Sequence, residues 1–274
     1  MALSSRPTAV VTRLLLVALL GWATASACAA DCPQPLRIGF SDAASPPGLL
    51  GQGAAFPEPP GWEVSAVREA LKRLGCTAEL RRMPNRRLSV SLAQGQVDIA
   101  LLFGVTPERL RSLRFPLDAQ GRPDLAWAPV FGHLALFGRG GEAADPGWDG
   151  RRLPPGLRVG ALTGSVQETI ARDRGWPVEP IGVLEGGPTM LQARRFDLLL
   201  TTREVLTPEQ RAGLVEWTPG VAKLPYFAPA SPQLDRAHPA WTRAFWRELC
   251  QAVRRIEPEA RAADCGVVPA LAWR

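Results

Sequence analysis

This chain of 274 residues has few of the side chains that most enzymes use to move protons or bind metals. Its histidines are His133 and His238, it has one tyrosine, and lysine occurs only at Lys72 and Lys223. Neither histidine lies in a recognisable catalytic arrangement, and no serine lies in a Gly-x-Ser-x-Gly turn. No group of His, Cys and carboxylates has metal-ligand spacing. We therefore expect no catalytic residues, no metal and no cofactor.

A basic tract suited to nucleic acid is also missing. The formal net charge of +6 loses Arg6 and Arg13, and no acid, if residues 1–30 are removed, which leaves +4. Nearly all of the basic charge is arginine, and no basic run is interleaved with aromatic residues. We expect no nucleic-acid partner.

The apolar run near the N-terminus is too short to span a bilayer permanently. It covers Leu14–Trp22, follows two arginines and precedes the small-residue stretch ATASACAA. This plan is typical of a bacterial export signal cleaved near Ala29 or Ala30, so residues 1–30 are predicted to be a signal peptide and the protein periplasmic. Lipidation at Cys28 is the alternative.

Four cysteines remain after such cleavage: Cys32, Cys76, Cys250 and Cys265. An even number of cysteines in an exported protein predicts two disulfides, for which three pairings exist. Cys32 and Cys76 each precede a predicted strand, so if those strands are parallel neighbours the pairs are Cys32–Cys76 and Cys250–Cys265. Four buried free thiols are the alternative.

The chain contains two related α/β units. LRIGF (Leu36–Phe40) is nearly repeated by LRVGA (Leu157–Ala161), and LAQGQVDIALL (Leu92–Leu102) is echoed by LQARRFDLLLT (Leu191–Thr201). Each longer segment has the pattern of a helix end followed by a buried strand. Alternating strands and helices predict parallel sheets covered on both faces.

The periodicity also places the other elements. The further predicted helices and strands are Glu63–Leu74, Thr77–Arg81, a helix from Arg86, Val166–Arg174, Val178–Ile181 and Pro188–Arg194. In the C-terminal helix, one predicted core face carries Trp241, Phe245, Leu249, Ala252 and Ile256.

The length suits two lobes with two connections between them. The connections are Trp127–Phe137 outward and Gly220–Ala230 back. We expect residues 31–128 plus 224–274 to form lobe 1 and residues 129–223 to form lobe 2. A cleft between hinged lobes would hold the ligand.

In the order and spacing of these segments the chain resembles the bacterial extracellular solute-binding proteins of the type II periplasmic class, in the amino-acid-binding-like branch. The segments are LRIGF, GWEV, GQVDIALLFGVTPER with a later FP, LRVGALTGSVQE and FDLLL. The resemblance implies an α/β, two-lobed periplasmic-binding-protein fold with a two-crossing hinge. It also implies a monomer that binds an amino acid or another carboxylate or anion for a membrane permease, as in an ABC transporter, or for a sensor.

The resemblance assigns Arg109 to the ligand carboxylate. Thr106 and Pro107 start a helix well, and an arginine in its first turn either points to solvent or works with the free N–H groups to hold an anion. Members that bind amino acids use an arginine after a Thr-x-x pattern for the carboxylate, which it can pair with bidentately. A solvated Arg109 is the alternative.

Two departures from the amino-acid binders stand out. The segment Leu101–Gly104, ahead of the arginine, is apolar and one residue short, where those proteins present small hydroxyl or glycine residues. Thr202 stands where they often place an aspartate for the ammonium group. Both departures weaken an α-amino-acid assignment, because a buried ammonium without a counter-charge is unfavourable.

Position gives further ligand candidates. Aromatic side chains near the cleft either contact the ligand or pack in the core. Hydroxyl side chains at strand ends either contact the ligand or cap a helix. Trp127, Gly164 and Gln167 are possible contacts. The predicted ligand contacts are Arg109, Thr106, Gly104, Phe103, Ser41, Asp42, Trp62, Thr163, Ser165, Thr202 and Tyr226.

The segment Ser45–Gly61 is too rich in proline and glycine for regular structure. It is either a flap over the cleft, with Leu49, Leu50 or Phe56 on the ligand, or surface disorder. For function, the alternatives to transport are an exported sensor or accessory protein, and a dehydratase-like enzyme with Glu168 or Asp42 as base, because the resembling group includes periplasmic dehydratases.

Overall fold

The computed structural model describes residues 31–142, 147–257 and Cys265. The predicted signal peptide and Cys28 lie outside these residues. Within them, no helix has the length and apolar character needed to cross a membrane.

Strands and helices alternate through most of the chain. The strands are β1 (Arg37–Ser41), β2 (Glu79–Met83), β3 (Ile99–Ala100), β4 (Phe103–Gly104), β5 (Val130–Arg139), β6 (Val159–Leu162), β7 (Val178–Ile181), β8 (Leu198–Thr202) and β9 (Leu214–Phe227). The helices are α1 (Trp62–Arg73), α2 (Asn85–Ala93), α3 (Pro107–Ser112), α4 (Val166–Asp173), α5 (Gly187–Gln192), α6 (Pro208–Ala212), α7 (Pro232–Ala237) and α8 (Pro239–Ile256).

The first sheet is parallel, with strand order β2-β1-β3. Its central strand is short and apolar, with Ile38 and Phe40 fully buried. One core cluster joins these side chains to the apolar faces of α1 and α8, including Val67 and Phe245. The C-terminal helix therefore returns to the first lobe, as the sequence suggested, and covers its sheet.

The second sheet is mixed, with strand order β4-β9-β5-β8-β6-β7. β6 pairs in parallel with both β7 and β8, whereas β5 is antiparallel to β8 and β9. The predicted connections between the lobes are thus long strands of this sheet, and the far end of β9 pairs with β4 beside the first sheet. The result is the predicted two-lobed α/β fold, with β5 and β9 as the two crossings. Where along them one lobe ends and the other begins stays a prediction.

The internal repeat is visible in the hydrogen bonding. Asp98 accepts the backbone N–H of Arg37 at 2.7 Å, and Asp197 accepts that of Arg158 at 2.8 Å. Each aspartate ends a helix-to-strand segment and fixes the start of the central strand of its unit. The aspartate of the repeated motif is therefore a structural residue in both halves.

Both predicted disulfides are present, Cys32–Cys76 and Cys250–Cys265. The first links the approaches to β1 and β2, which are parallel neighbours as the pairing argument required. Two disulfides are typical of a protein that folds in an oxidising compartment.

Two sequence predictions need correction. β2 begins two residues later than predicted, at Glu79, because that residue is the one in register with Arg37. Ile256 is exposed (38%), whereas the other four residues of its predicted face are buried. It is the last residue of α8, and Glu257 is the C-cap of the helix.

Candidate functional site

A cavity of about 400 Å³ lies between the two lobes. Its walls come from the β1–α1 connection and the start of α1, from Leu101–Gly104, from β5, from the start of α4, and from the segment after β8. Most of the lining side chains are apolar. The charged residues in the lining are Glu63, Arg109, Glu204 and Glu257.

Arg109 lies in this wall and not on a solvated helix face. Its side chain is buried, and the residue is 9% exposed. Nη1 donates to the Gly104 carbonyl at 2.8 Å, Nη2 donates to the Gly164 carbonyl at 2.7 Å, and the guanidinium lies 4.4 Å from the Phe103 ring centre. Burial lowers the pKa of Arg109 to about 10, although the electrostatic interaction with Tyr226 raises it. No salt bridge to Arg109 is found among the described residues.

The local sequence explains this placement. Thr106 is the N-cap of α3, and its side chain accepts the Arg109 N–H at 3.2 Å. With Pro107 in the first turn, the short helix starts where predicted and directs Arg109 back toward Gly104.

The lobes approach closely beside Arg109. A Cβ on Gly104 would clash with the Val166 side chain of α4, so this position accepts no larger residue without movement. Gly164 has φ +72°, a conformation that L side chains rarely adopt, and presents its carbonyl to Arg109. Arg109 thus bridges the lobes through the Gly164 carbonyl, while Gly104 binds it from its own side.

Glu63 is a second buried charged group in the wall. It is 6% exposed, its Oε1 accepts from Ser45 Oγ at 3.3 Å, and its carboxyl lies against Gly48. Burial raises its pKa to about 8, although the Ser45 hydrogen bond and the charge of Arg82 lower it. The carboxyl is therefore largely protonated at neutral pH in this cavity.

The β1–α1 connection is held in place by Arg82, which is 6% exposed. Its guanidinium donates to five backbone carbonyls, those of Ser41 (3.0 Å), Asp42 (3.3 Å), Leu50 (3.0 Å), Gly51 (2.6 Å) and Ala55 (2.9 Å). It also lies 5.6 Å from the Phe56 ring centre. The structure thus gives Ser45–Gly61 a defined course anchored on Arg82, and a role as a flap stays a prediction. Leu49 reaches the cavity, while Leu50 and Phe56 do not line it.

Further polar groups complete the lining of the cavity. Gln167 Nε2 donates to the Tyr226 hydroxyl at 3.1 Å, and Thr202 also lines the cavity. Burial raises the pKa of Tyr226 well above its usual value. At the rim, Glu204 accepts from the His133 backbone N–H at 2.9 Å and pairs with its Nδ1 at 2.6 Å. Among the described residues, no group of three or more His, Cys, Asp and Glu could hold a metal ion.

The structure brings most of the predicted ligand contacts to this cavity. Those in the lining are Ser41, Trp62, Phe103, Gly104, Arg109, Ser165, Thr202 and Tyr226.

Three predicted contacts do not line it. Thr106 is the N-cap of α3. Asp42 lies in the β1–α1 connection, where its backbone carbonyl accepts a hydrogen bond from Arg82. Thr163 continues the β6 hydrogen bonding to Ile181 at 2.9 Å. Trp127 packs on the first core cluster, and Glu168 is occupied by the Gly164 N–H and by Arg172.

Glu63 and Asn85 line the cavity and were not predicted to do so. An acid in the first turn of a helix is common, because it interacts favourably with the helix dipole. The sequence therefore did not single out Glu63 as a cavity residue. Asn85 follows Pro84 at the start of α2, where only the three-dimensional approach of the lobes places it at the cleft.

Leu102 is the strained point of the short segment ahead of Arg109. Its φ is +55°, unusual for a residue with a branched side chain, and it lines the cavity. Strained backbone often marks a functional site, and this apolar segment forms part of the cavity wall.

No protein-family model matches this chain, and no curated protein is significantly similar to it in sequence. Solved structures show the similarity instead. The GluR0 ligand-binding core from Nostoc punctiforme, in complex with L-glutamate, has 16% identity and a TM-score of 0.61, with 84% of this chain and 97% of that chain covered.

Two further structures extend the similarity. A histidine kinase sensor domain similar to periplasmic binding proteins has 16% identity and a TM-score of 0.64, over 84% of this chain and 94% of that chain. A histidine-bound substrate-binding protein of an ABC uptake transporter from Streptococcus pneumoniae has 14% identity and a TM-score of 0.62, over 83% and 94%. These likenesses establish the two-lobed fold of periplasmic binding proteins for this chain.

Proposed function

We propose that this protein is a periplasmic solute-binding protein that closes its lobes on a small carboxylate-bearing solute. Residues 1–30 are its export signal, residues 31–128 plus 224–274 form lobe 1, and residues 129–223 form lobe 2. It works as a monomer and delivers the solute to a membrane transporter of the ABC type. Delivery to a sensor is the second candidate, because structures of both kinds share the fold.

The observation that carries this proposal is the buried Arg109 guanidinium. A buried cation without a counter-charge is unfavourable, and among the described residues no carboxylate pairs with Arg109. Its side chain has five N–H donors, of which Gly104 and Gly164 take two. Arg109 lines the cavity, and an arginine guanidinium can pair bidentately with a carboxylate.

Closure follows from the position of Arg109 between the lobes. The guanidinium belongs to lobe 1 and already reaches the Gly164 carbonyl of lobe 2. A carboxylate on Arg109 lies beside the capped start of α4, so it contacts both lobes. A ligand that binds the closed form better shifts the population toward it by its differential affinity. The apolar walls then cover the rest of the solute.

The test is thermal unfolding and calorimetric titration against amino acids, aliphatic and aromatic monocarboxylates, dicarboxylates, sugars and oxyanions. A ligand at a hundred times its dissociation constant adds about 2.7 kcal/mol to the free energy of unfolding. We expect carboxylates to stabilise the wild type. Arg109→Lys keeps the charge but loses the fork geometry, so affinity should fall about tenfold or more.

Arg111→Ala is the matched control, since Arg111 is an exposed arginine on the same helix. It should bind like the wild type. If no carboxylate binds, or if Arg109→Lys binds as tightly as Arg111→Ala, the proposal is wrong.

A further inference from the structure

Glu63 is the polar group in the cavity wall that the proposed function does not use. It lies at the start of α1, its side chain is buried, and it lines the cavity. Ser45 Oγ donates to Glu63 Oε1 at 3.3 Å. Among the described residues, no hydrogen bond to the other oxygen, Oε2, is found. Half of the hydrogen-bonding capacity of this carboxyl is therefore open beside the cavity.

The surroundings of Glu63 do not support a negative charge. The cation that acts on it is Arg82 of β2, but all five N–H donors of that guanidinium are taken by the five backbone carbonyls that it binds. No salt bridge to Glu63 is found among the described residues. An ionised carboxylate buried in this way is unfavourable, so the group takes up a proton and is neutral.

A neutral carboxyl differs from a carboxylate because it has an O–H donor. Since Oε1 accepts from Ser45, the proton belongs on Oε2, for which the described residues provide no acceptor. Burial raises the pKa of Glu63 to about 8, so the donor is present at neutral pH. A buried donor without an acceptor is unfavourable, and a solute oxygen in the cavity would relieve that cost.

We propose that the neutral Glu63 carboxyl donates a hydrogen bond to an uncharged oxygen of the solute, so that the ligand is an oxo acid with an apolar body. The proposal rests on the proposed function, because it needs the solute carboxylate on Arg109. An oxo acid carries no ammonium group, which agrees with a threonine, Thr202, in place of an acid in the second lobe. The distance between the carbonyl and the carboxylate of the solute is left to the experiment.

Binding is then coupled to proton uptake. The solute oxygen favours the protonated carboxyl, so the pKa of Glu63 rises further in the complex. Above about pH 8 the free carboxyl is ionised and must take a proton from the buffer before it can donate. Other charged or titratable groups line the cavity or surround Arg82: Arg109, Glu204 with His133, Tyr226, Glu257, Asp42 and Glu185. Their titration affects an oxo acid and its alkyl analogue alike, so the ratio of the two affinities reports on Glu63.

The experiment compares pairs of probes in which a carbonyl replaces a methylene group. They are 4-methyl-2-oxopentanoate with 4-methylpentanoate, 4-oxopentanoate with pentanoate, and 5-oxohexanoate with hexanoate, and L-leucine tests for an ammonium instead. Affinity and proton uptake are measured by calorimetry between pH 6 and pH 9.5, in buffers of different ionisation enthalpy. Wild type, Glu63→Gln, Glu63→Leu and Glu58→Gln are compared. Glu58 is an exposed acid of the same connection.

We expect at least one oxo acid to bind the wild type about tenfold or more tightly than its alkyl partner at pH 7. This ratio should fall toward one as the pH rises from about 8 to about 9.5, because the donor is lost. Binding of the oxo acid should take up part of a proton, most of it between about pH 8 and about pH 9. Glu58→Gln should behave like the wild type.

The two Glu63 variants separate hydrogen bonding from charge. Glu63→Gln is neutral and donates from its amide at every pH, so it should keep the preference for the oxo acid at pH 7, hold it at pH 9.5 and take up no proton. Glu63→Leu has no donor and should lose the preference. Both variants should still bind the alkyl partners, which shows that they are folded.

Three results would overturn the inference and leave the proposed function standing. They are equal binding of oxo acids and alkyl partners by the wild type at pH 7, a preference that persists in Glu63→Leu or at pH 9.5 in the wild type, and tighter binding of L-leucine with release of a proton. If no probe binds the wild type, the proposed function is wrong and the inference falls with it.

Discussion

The two halves of this molecule connect their first strand to their first helix in very different ways. In the first half the connection from β1 to α1 takes 20 residues, 42–61, whereas from β6 to α4 it takes three, 163–165. The flanking units are alike, down to the aspartate that fixes the strand start. The comparison shows that the repeated elements build the lobes and that the unequal connections build the site.

Each connection is stabilised by different means. The long one has no helix or strand of its own, and its carbonyls are bound by the buried guanidinium of Arg82. The short one is a helix cap, in which Ser165 Oγ accepts the Glu168 N–H at 3.1 Å. The long connection brings Glu63 into the cavity wall, and the short one presents the Gly164 carbonyl to Arg109.

The largest expected effect comes from removing the arginine that holds the long connection. Arg82→Ala deletes five hydrogen bonds from a buried cation and should lower the free energy of unfolding by about 3–5 kcal/mol. Urea unfolding measures it, and limited proteolysis should cleave within residues 45–61. Arg81→Ala is the control, because Arg81 is the exposed neighbour on β2, paired with Glu79. Equal losses for the two variants would show that Arg82 does not organise the connection.

The second prediction is an increase in the free energy of unfolding, and its size depends on pH. The folded pKa of Glu63, about 8, lies above the ordinary value of 4.5. Stability from this group is therefore fully present below pH 4.5 and is lost as the pH rises to about 8. Glu63→Gln avoids that loss, so it should be about 3 kcal/mol more stable than the wild type at pH 7.

Unfolding curves of Glu63→Gln and wild type between pH 4 and pH 8 test this expectation. Their free energies should converge near pH 4. A constant difference across this range would mean that the carboxyl ionises normally in the folded protein.

The smallest effect compares the repeated aspartates. Asp98 is 9% exposed at its side chain and also bonds the Arg37 guanidinium at 3.0 and 3.1 Å, whereas Asp197 is 29% exposed and lies 3.7 Å from that of Arg158. Asp98→Ala should therefore lower the free energy of unfolding by about 2–3 kcal/mol and Asp197→Ala by about 1 kcal/mol. Equal losses would mean that the backbone hydrogen bond common to both carries the whole effect.

The repeated strands and helices could be predicted from the sequence because their patterns are local. β7 has its predicted bounds, α4 starts where predicted, and the disulfide pairing followed once two strands were taken as parallel neighbours. Local signals located the two lobe crossings but not their structure. The segments predicted as connections, Trp127–Phe137 and Gly220–Ala230, overlap the strands β5 and β9, whose pairing joins residues far apart in the chain and leaves no periodic mark.

The same division holds within the site. Arg109 could be singled out because a cation in the first turn of a capped helix is unusual. Glu63 and Arg82 could not, since an acid at a helix start and an arginine on a strand are ordinary. Asp42 and Thr163 looked like ligand contacts by position, yet the backbone around each directs it away from the cavity.

The sequence by itself determined the two α/β units and their helix caps and singled out Arg109 as a candidate, because each depends on neighbours along the chain or on spacing. The cysteine pairing followed from it only on the assumption that two strands are parallel neighbours. Only the tertiary structure decided that Arg109 bridges the lobes, that Arg82 holds a proline-rich segment over the cavity, and that Glu63 is buried there. Burial and the approach of distant carbonyls set the charge and geometry of these groups, and both arise only when the lobes fold together.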